Sequence, residues 1–209
     1  MKHEWRKKEK AVYLPKNKPM VIDVPVFKFI TISGEGNPNS EQFSECISVL
    51  YSISYMIKMT LKKTADQPKN YKDYTVYPLE GIWDINEEAK KNFDGVLNKD
   101  DLVFKLMIRQ PNFVTQSIFD EMLDLVKSKK PHKLLDKLVF EEIEDGKCVQ
   151  MLHVGSYDNE PESFELMDKF AKKEGLERVS KVHREIYLSD FRKVAVDKLK
   201  TVLRFRVTS

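Results

Sequence analysis

The chain has 209 residues, 41% hydrophobic and 33% charged, and its 36 basic residues nearly balance 33 acidic ones for a net charge of +3. This is the composition of a globular protein long enough for one large domain or two small units sharing a core. The charge balance argues against a nucleic-acid binder, which concentrates Lys and Arg on one face. Basic runs occur only at Lys2–Lys10 and Lys127–Lys130, read as a solvated tail and a helix end. Cys46 and Cys148 make no disulfide framework and point to a reducing compartment. The start, Met-Lys-His-Glu-Trp-Arg, has no apolar run behind its charges. No stretch approaches the ~20 apolar residues of a membrane span. A cytoplasmic protein without nucleic-acid or membrane partners is expected.

In chain order, a polar entry punctuated by Pro15, Pro19 and Pro25 precedes a strand predicted at Val26–Ile32, rich in β-branched and aromatic residues. Gly34–Pro38 breaks the chain, and Asn39 or Ser40 can cap a helix reaching about Lys62. Its inward stripe is Phe43, Cys46, Ile47, Leu50, Ile53, Ser54 and Ile57. Strands are predicted at about Tyr74–Asp84 and Leu102–Arg109, and a helix at Gln116–Lys127 on the stripe Ile118, Phe119, Met122, Leu123 and Val126. Leu138–Ile143 and Cys148–Val154, separated by Asp145-Gly146, read as a hairpin. A helix from Pro161 or Glu162 to Lys173 has Pro in its first turn and Gly175 past its end. Strands at about Val182–Ser189 and Leu199–Val207 follow.

The two halves echo each other: strand, polar loop, helix, two strands. Even the helix entries are alike, Asn39-Ser40-Glu41-Gln42-Phe43 against Glu160-Pro161-Glu162-Ser163-Phe164. The expected fold class is α+β, with duplicated βα modules in pseudo-twofold relation and antiparallel sheets joined around a central ligand cleft. Residues 1–25 form an N-terminal extension in this reading, and 26–209 a ligand-binding domain. Its modules are about 26–112 and 132–209, joined by the helix at about 116–127.

Chemistry concentrates in His183-Arg184-Glu185-Ile186-Tyr187-Leu188-Ser189-Asp190. Strand alternation puts Ile186 and Leu188 on one face, suited to pack on a helix, and His183, Glu185 and Tyr187 on the other. In an apolar cavity Glu185 becomes a base or a counter-charge for a cationic ligand. The blander alternative pairs it across the sheet with Arg204 or Arg206. Tyr77, Gly81 and Trp83 share a strand face, where glycine allows close approach of a ligand and Trp83 can stack on a planar one or simply fill the core. Tyr51 and Tyr55 lie one helical turn apart, directed at a cleft or at the surface. Val149, Met151 and His153 alternate on one strand face, and a lone histidine of this kind is more often a hydrogen-bonded core residue than a ligand. The sequence contains no nucleophile elbow, P-loop, dinucleotide fingerprint or zincin motif, and its four histidines show no metal-ligand spacing. Neither metal nor cofactor is expected.

The segment His183–Asp190, followed by Lys198-Leu199-Lys200-Thr201-Val202-Leu203-Arg204, resembles the C-terminal signature of the GyrI-like small-molecule-binding family. Tyr77–Trp83 and Met107-Ile108-Arg109-Gln110-Pro111 resemble its stand-alone branch, and the likeness runs from about Pro25 onward. Regulators of that family carry a helix-turn-helix segment ahead of the pocket, whereas only a short basic tail precedes Val26 here. The resemblance implies a pocket at the junction of two βα modules, with Glu185 at the position of the family's buried glutamate. Some stand-alone members hydrolyse the cyclopropane of duocarmycin- and yatakemycin-like DNA alkylators. By that resemblance Glu185 activates water, and Tyr55, Tyr71 or Tyr187 donates to the developing phenolate. Trp83, Tyr187, Phe104, Met151 and His153 would hold the planar aromatic substrate. The alternatives are a non-catalytic binding or sequestration protein, or one that contacts DNA gyrase.

Overall fold

The computed structural model describes residues 2–190 and 192–208. In chain order it contains α1 (Trp5–Lys8), α2 (Lys10–Tyr13), β1 (Met20–Val24), β2 (Phe27–Glu35), α3 (Glu41–Lys63), β3 (Leu79–Ile85), α4 (Glu87–Lys91) and β4 (Leu102–Gln110). There follow α5 (Gln116–Lys129), β5 (Val139–Ile143), β6 (Gly146–Val154), α6 (Glu160–Lys173), β7 (Glu177–Arg178), β8 (His183–Tyr187) and β9 (Lys200–Thr208). The fold is mixed α+β and its strand pairings are antiparallel, as the sequence predicts.

The chain divides into two compact units. The first comprises residues up to Glu4, Phe27–Tyr77 and Asp84–Ile143. In it β2 lies between β4 and β5. Ser40 caps α3 by accepting a hydrogen bond from the Phe43 amide, and the helix buries Phe43, Cys46, Val49, Leu50, Ile53, Ser54, Ile57 and Leu61. Gly34 sits opposite Phe104 in the β2–β4 register, and a Cβ there would stand 2.6 Å from that ring. Only glycine leaves Phe104 room to lie across β2, edge-on to Phe43 at 5.0 Å between centroids.

The second unit comprises Trp5–Val26, Pro78–Trp83 and residues from Glu144 onward. Its strands run in the order β1-β6-β9-β8-β3, with β7 also paired to β9. The N-terminal segment therefore supplies structure, β1 laddered on β6 from Met20↔Gln150 to Val24↔Gly146. α6 packs on one sheet face, burying Met167 and Ala171 among Val149, Met151, Leu176, Leu203, Phe205 and Val207.

Three sequence expectations need correction. The segments around Asp145-Gly146 form no hairpin, because β5 pairs with β2 whereas β6 pairs with β1 and β9. Gly146 takes the left-handed turn (φ 64°), but Asp145 is drawn into a buried ion cluster and the chain passes from one unit to the other. The strand expected from Tyr74 begins only at Leu79, since Pro78 has no N–H to donate to a ladder. The third concerns the two faces of β8. The helix covers the His183/Glu185 face, and the Arg184/Ile186 face instead carries the ion cluster.

Candidate functional site

The site grows from the β3–β8–β9 ladder of the second unit. Gly81 pairs with Glu185 and Trp83 with His183, while Glu185 pairs with Leu203 and Tyr187 with Thr201 on the other side. Directly opposed residues share a face, so Glu185 stands with Trp83, His183 and Tyr187. Gly81 beside it contributes no side chain. Glu185 is buried, at 8% exposure.

Hydrogen-bond roles follow from donor chemistry. The Trp83 indole N–H can only donate, and it donates to the Tyr187 hydroxyl at 2.8 Å. That leaves the Tyr187 hydrogen for Glu185 Oε2, at 2.7 Å. His183 Nε2 lies 3.2 Å from Glu185 Oε1, and its Nδ1 lies 3.2 Å from the Lys181 carbonyl. Burial and then the neighbouring Glu185 charge push the Tyr187 phenol well above its usual value. Phe164 of α6 meets the His183 ring edge-on at 4.7 Å, and Tyr157 meets Tyr187 at 6.1 Å.

A residue absent from the sequence reading completes the cluster. Glu160, in the first turn of α6, is only 7% exposed, and its neighbours on either side, Tyr157 and Phe164, meet Tyr187 and His183. Its Oε1 is buried with no hydrogen-bond partner among the described residues. Burial, and then the negative charge of Glu185, hold the Glu160 carboxyl well above the ordinary glutamate range. The strand alternation that exposes Glu185 to view says nothing of a helix residue 25 positions earlier. A signal was nevertheless present: an acid beside Pro161 at the helix entry on which the resemblance between the two halves rests.

The opposite sheet face is equally polar and fully closed. Arg184 donates to Glu80 at 2.8 Å and to Asp145 at 2.7 Å, and Arg204 donates to Asp145 at 3.0 Å and to Gln150 at 2.8 Å. The Val12 carbonyl accepts from Arg204, and the Ala11 carbonyl accepts from Gln150. Burial alone would raise Asp145, but the two guanidiniums hold it below the usual carboxylate value. Arg204 is thus engaged away from Glu185.

The remaining predicted residues distribute as follows. His153 is a buried, hydrogen-bonded residue: its Nε2 meets the Ser156 carbonyl at 2.9 Å and its Nδ1 meets Ser163 Oγ at 2.9 Å. Carbonyl oxygen only accepts, so Nε2 donates and Nδ1 accepts from the serine. Those two contacts pin the chain on either side of Glu160. Met151 lies in the core beneath α6. Phe104, Tyr55 and Tyr71 belong to the first unit. Tyr55 is 50% exposed on α3, its ring 6.2 Å from that of Tyr51. Tyr71 packs edge-on to Phe113 at 5.2 Å, and burial and then Asp73 push its phenol up. Tyr77 is also in the first unit, with the Arg109 guanidinium 4.6 Å from its ring centroid. Among the described residues no group of three or more His, Cys, Asp or Glu could hold a metal ion. Among the same residues no helix is long and apolar enough to cross a membrane.

Two buried carboxyls, one on the sheet and one at a helix entry, thus stand among the aromatic side chains of Trp83, Tyr157, Phe164, His183 and Tyr187. The model of the GyrI-like small molecule binding domain matches residues 17–208. The chain belongs to the GyrI-like family. This GyrI-like protein is similar to a hydrolase from Listeria innocua, with 34% identity over all of both chains and a TM-score of 0.89. A second hydrolase structure from the same organism is 33% identical, with 99% and 100% of the chains covered and a TM-score of 0.87. The C-terminal domain of EcmrR shares the fold at 12% identity, with 92% and 98% coverage and a TM-score of 0.53. Among curated proteins none matches the chain.

Proposed function

We propose that this GyrI-like protein hydrolyses the cyclopropane ring of planar, DNA-alkylating xenobiotics, with Glu185 as the base that activates water. The observation that carries the reading is the buried Glu185 carboxyl, fixed by Tyr187 and flanked by Trp83. Its likeness to hydrolases at 33–34% identity supports an enzymatic role. In the proposed step Glu185 takes a proton from water as the oxygen bonds to the cyclopropane methylene. The strained carbon–carbon bond breaks, its electron pair enters the conjugated dienone, and the resulting phenolate takes up a proton. The net change is addition of one water.

Tyr187 is already committed as a donor to Glu185, so its role in this reading is to orient the base rather than to protonate the phenolate. Replacing Glu185 by Gln keeps shape and removes the base, so turnover should fall ~10²–10⁴-fold, the usual worth of a positioned general base. The assay is mass spectrometry of a cyclopropane alkylator incubated in ¹⁸O-labelled water, with the label expected on the former ring carbon. Unchanged turnover in Glu185→Gln would falsify the assignment. A second reading, sequestration without catalysis, is favoured by the same buried carboxyl as a counter-charge for a cationic ligand. It predicts tight binding, no product, and selective loss of cations in Glu185→Gln.

A further inference from the structure

We propose that His183 is the acceptor for the proton that Glu185 takes from water, so that the two side chains act as one base. The inference deepens the reading of Glu185 given above and rests on it for its catalytic meaning, but the tautomer on which it stands can be read without any activity.

The tautomer follows from a fixed acceptor. The Lys181 carbonyl lies 3.2 Å from His183 Nδ1, and a carbonyl oxygen only accepts, so Nδ1 carries the hydrogen. Arg178 of β7 holds that carbonyl in place, donating Nη2 to it at 3.1 Å and Nε to the Ser180 carbonyl at 2.8 Å. The guanidinium is itself held against Phe205 and Phe164, 4.2 and 5.2 Å from their ring centroids, with Asp168 at 3.5 Å. Phe164 also meets the His183 ring edge-on. In the neutral ring Nε2 is therefore left as a lone pair, 3.2 Å from Glu185 Oε1.

A lone pair facing a carboxylate oxygen gains nothing until a proton lies between them. Glu185 Oε2 already accepts from Tyr187, which leaves Oε1 for the proton arriving from water. Once there, Oε1–H donates to Nε2, and when the proton crosses, the imidazolium donates back to the carboxylate. Both of these states are hydrogen-bonded and the one before them is not, so the contact gains strength only as the reaction proceeds. The His183 side chain is 21% exposed against 11% for Glu185. Solvent can therefore take the Nε2 proton from the imidazolium, leaving Glu185 ionised and the Nδ1–H form restored. The other titratable or charged groups around the pair are Tyr187 of β8, Glu160 at the start of α6, Tyr157 before it and Arg178 of β7.

Nitrogen-15 spectra of the histidine-labelled protein, with His183 assigned through backbone correlations, read the tautomer. A hydrogen on Nδ1 and none on Nε2 is expected for the neutral ring, and the opposite tautomer would overturn the proposal. Turnover of a cyclopropane alkylator supplies the catalytic arm. His183→Ala should lower kcat by about 10²-fold, the lower end of what a positioned proton-transfer group contributes, with KM little changed. Added imidazole should restore part of the loss in a saturable way, whereas pyrazole, of the same shape and much less basic, should not. Equal rescue by both would reduce His183 to packing, and no rescue by imidazole would count against it as the acceptor. If the alanine variant folds poorly, His183→Gln keeps bulk without the basic nitrogen, and an unchanged kcat there would sink the proposal. Absence of any hydrolysis in the wild type would instead sink the enzymatic reading itself, an outcome distinct from a His183 variant that turns over like wild type.

Discussion

At the scale of single residues, the site is a relay of donors ending on one carboxyl. Trp83 donates to Tyr187 and Tyr187 donates to Glu185, so removing the middle hydroxyl injures both ends. Tyr187→Phe leaves the Trp83 N–H without that acceptor and Glu185 without a charge-assisted bond. Such a bond contributes about 1.5–3 kcal/mol, so turnover should drop roughly 10–100-fold, measured as kcat with the alkylator in excess. The loss should be smaller than for Glu185→Gln, because the base itself remains. Equal losses in the two variants would mean that Tyr187 acts on the substrate directly.

At the scale of elements, β8 carries chemistry on one face and fixes its own position with the other. Arg184 and Arg204, directly paired across β8 and β9, both reach Asp145. Asp145→Ala would leave two buried guanidiniums without their shared carboxylate. Breaking a buried pair in this way typically costs about 3–5 kcal/mol, to be read from the shift in urea unfolding midpoint. Asp145→Ala should destabilise far more than Glu185→Gln. The sequence made much of this strand legible. Period-two alternation put Glu185, His183 and Tyr187 together, helical periodicity found α3 and α5, Pro161 and Gly175 bracketed α6, and Asn39 or Ser40 marked the start of α3, where Ser40 is the cap. It could not show that Arg204 answers Asp145 rather than Glu185, because cross-strand register is set by distant pairings. Nor could it show that Glu160 stands near Glu185, because that placement depends on how α6 lies on the sheet. The expected hairpin at Asp145-Gly146 failed for a related reason: a turn signal is local, and the strands on either side took partners far away in the chain.

At the scale of the whole molecule, the buried acids make stability depend on pH. Glu160 is held well above the ordinary glutamate value, so its folded form keeps a proton that the unfolded chain releases. Such a group contributes stability that is fully present below the ordinary value, near 4.5, and is lost as pH rises through the raised one. Glu80, raised chiefly by burial, acts with the same sign. Asp145 acts oppositely, its contribution disappearing as pH falls through its lowered value. Wild-type stability should therefore decline from mildly acid to alkaline pH, and Glu160→Gln should decline less, the two curves separating as pH rises. Parallel curves in urea titrations at several pH values would refute this. The placement of the indoles decides how such curves should be recorded. The chain has two tryptophans, Trp5 and Trp83, and both lie in the second unit. Indole emission therefore reports on that unit, whereas α3, the longest helix, lies in the first unit and contributes to the far-ultraviolet dichroism. With Trp5→Phe, the remaining fluorophore is the one hydrogen-bonded to Tyr187, so ionisation of Glu160 should alter its emission before any unfolding begins.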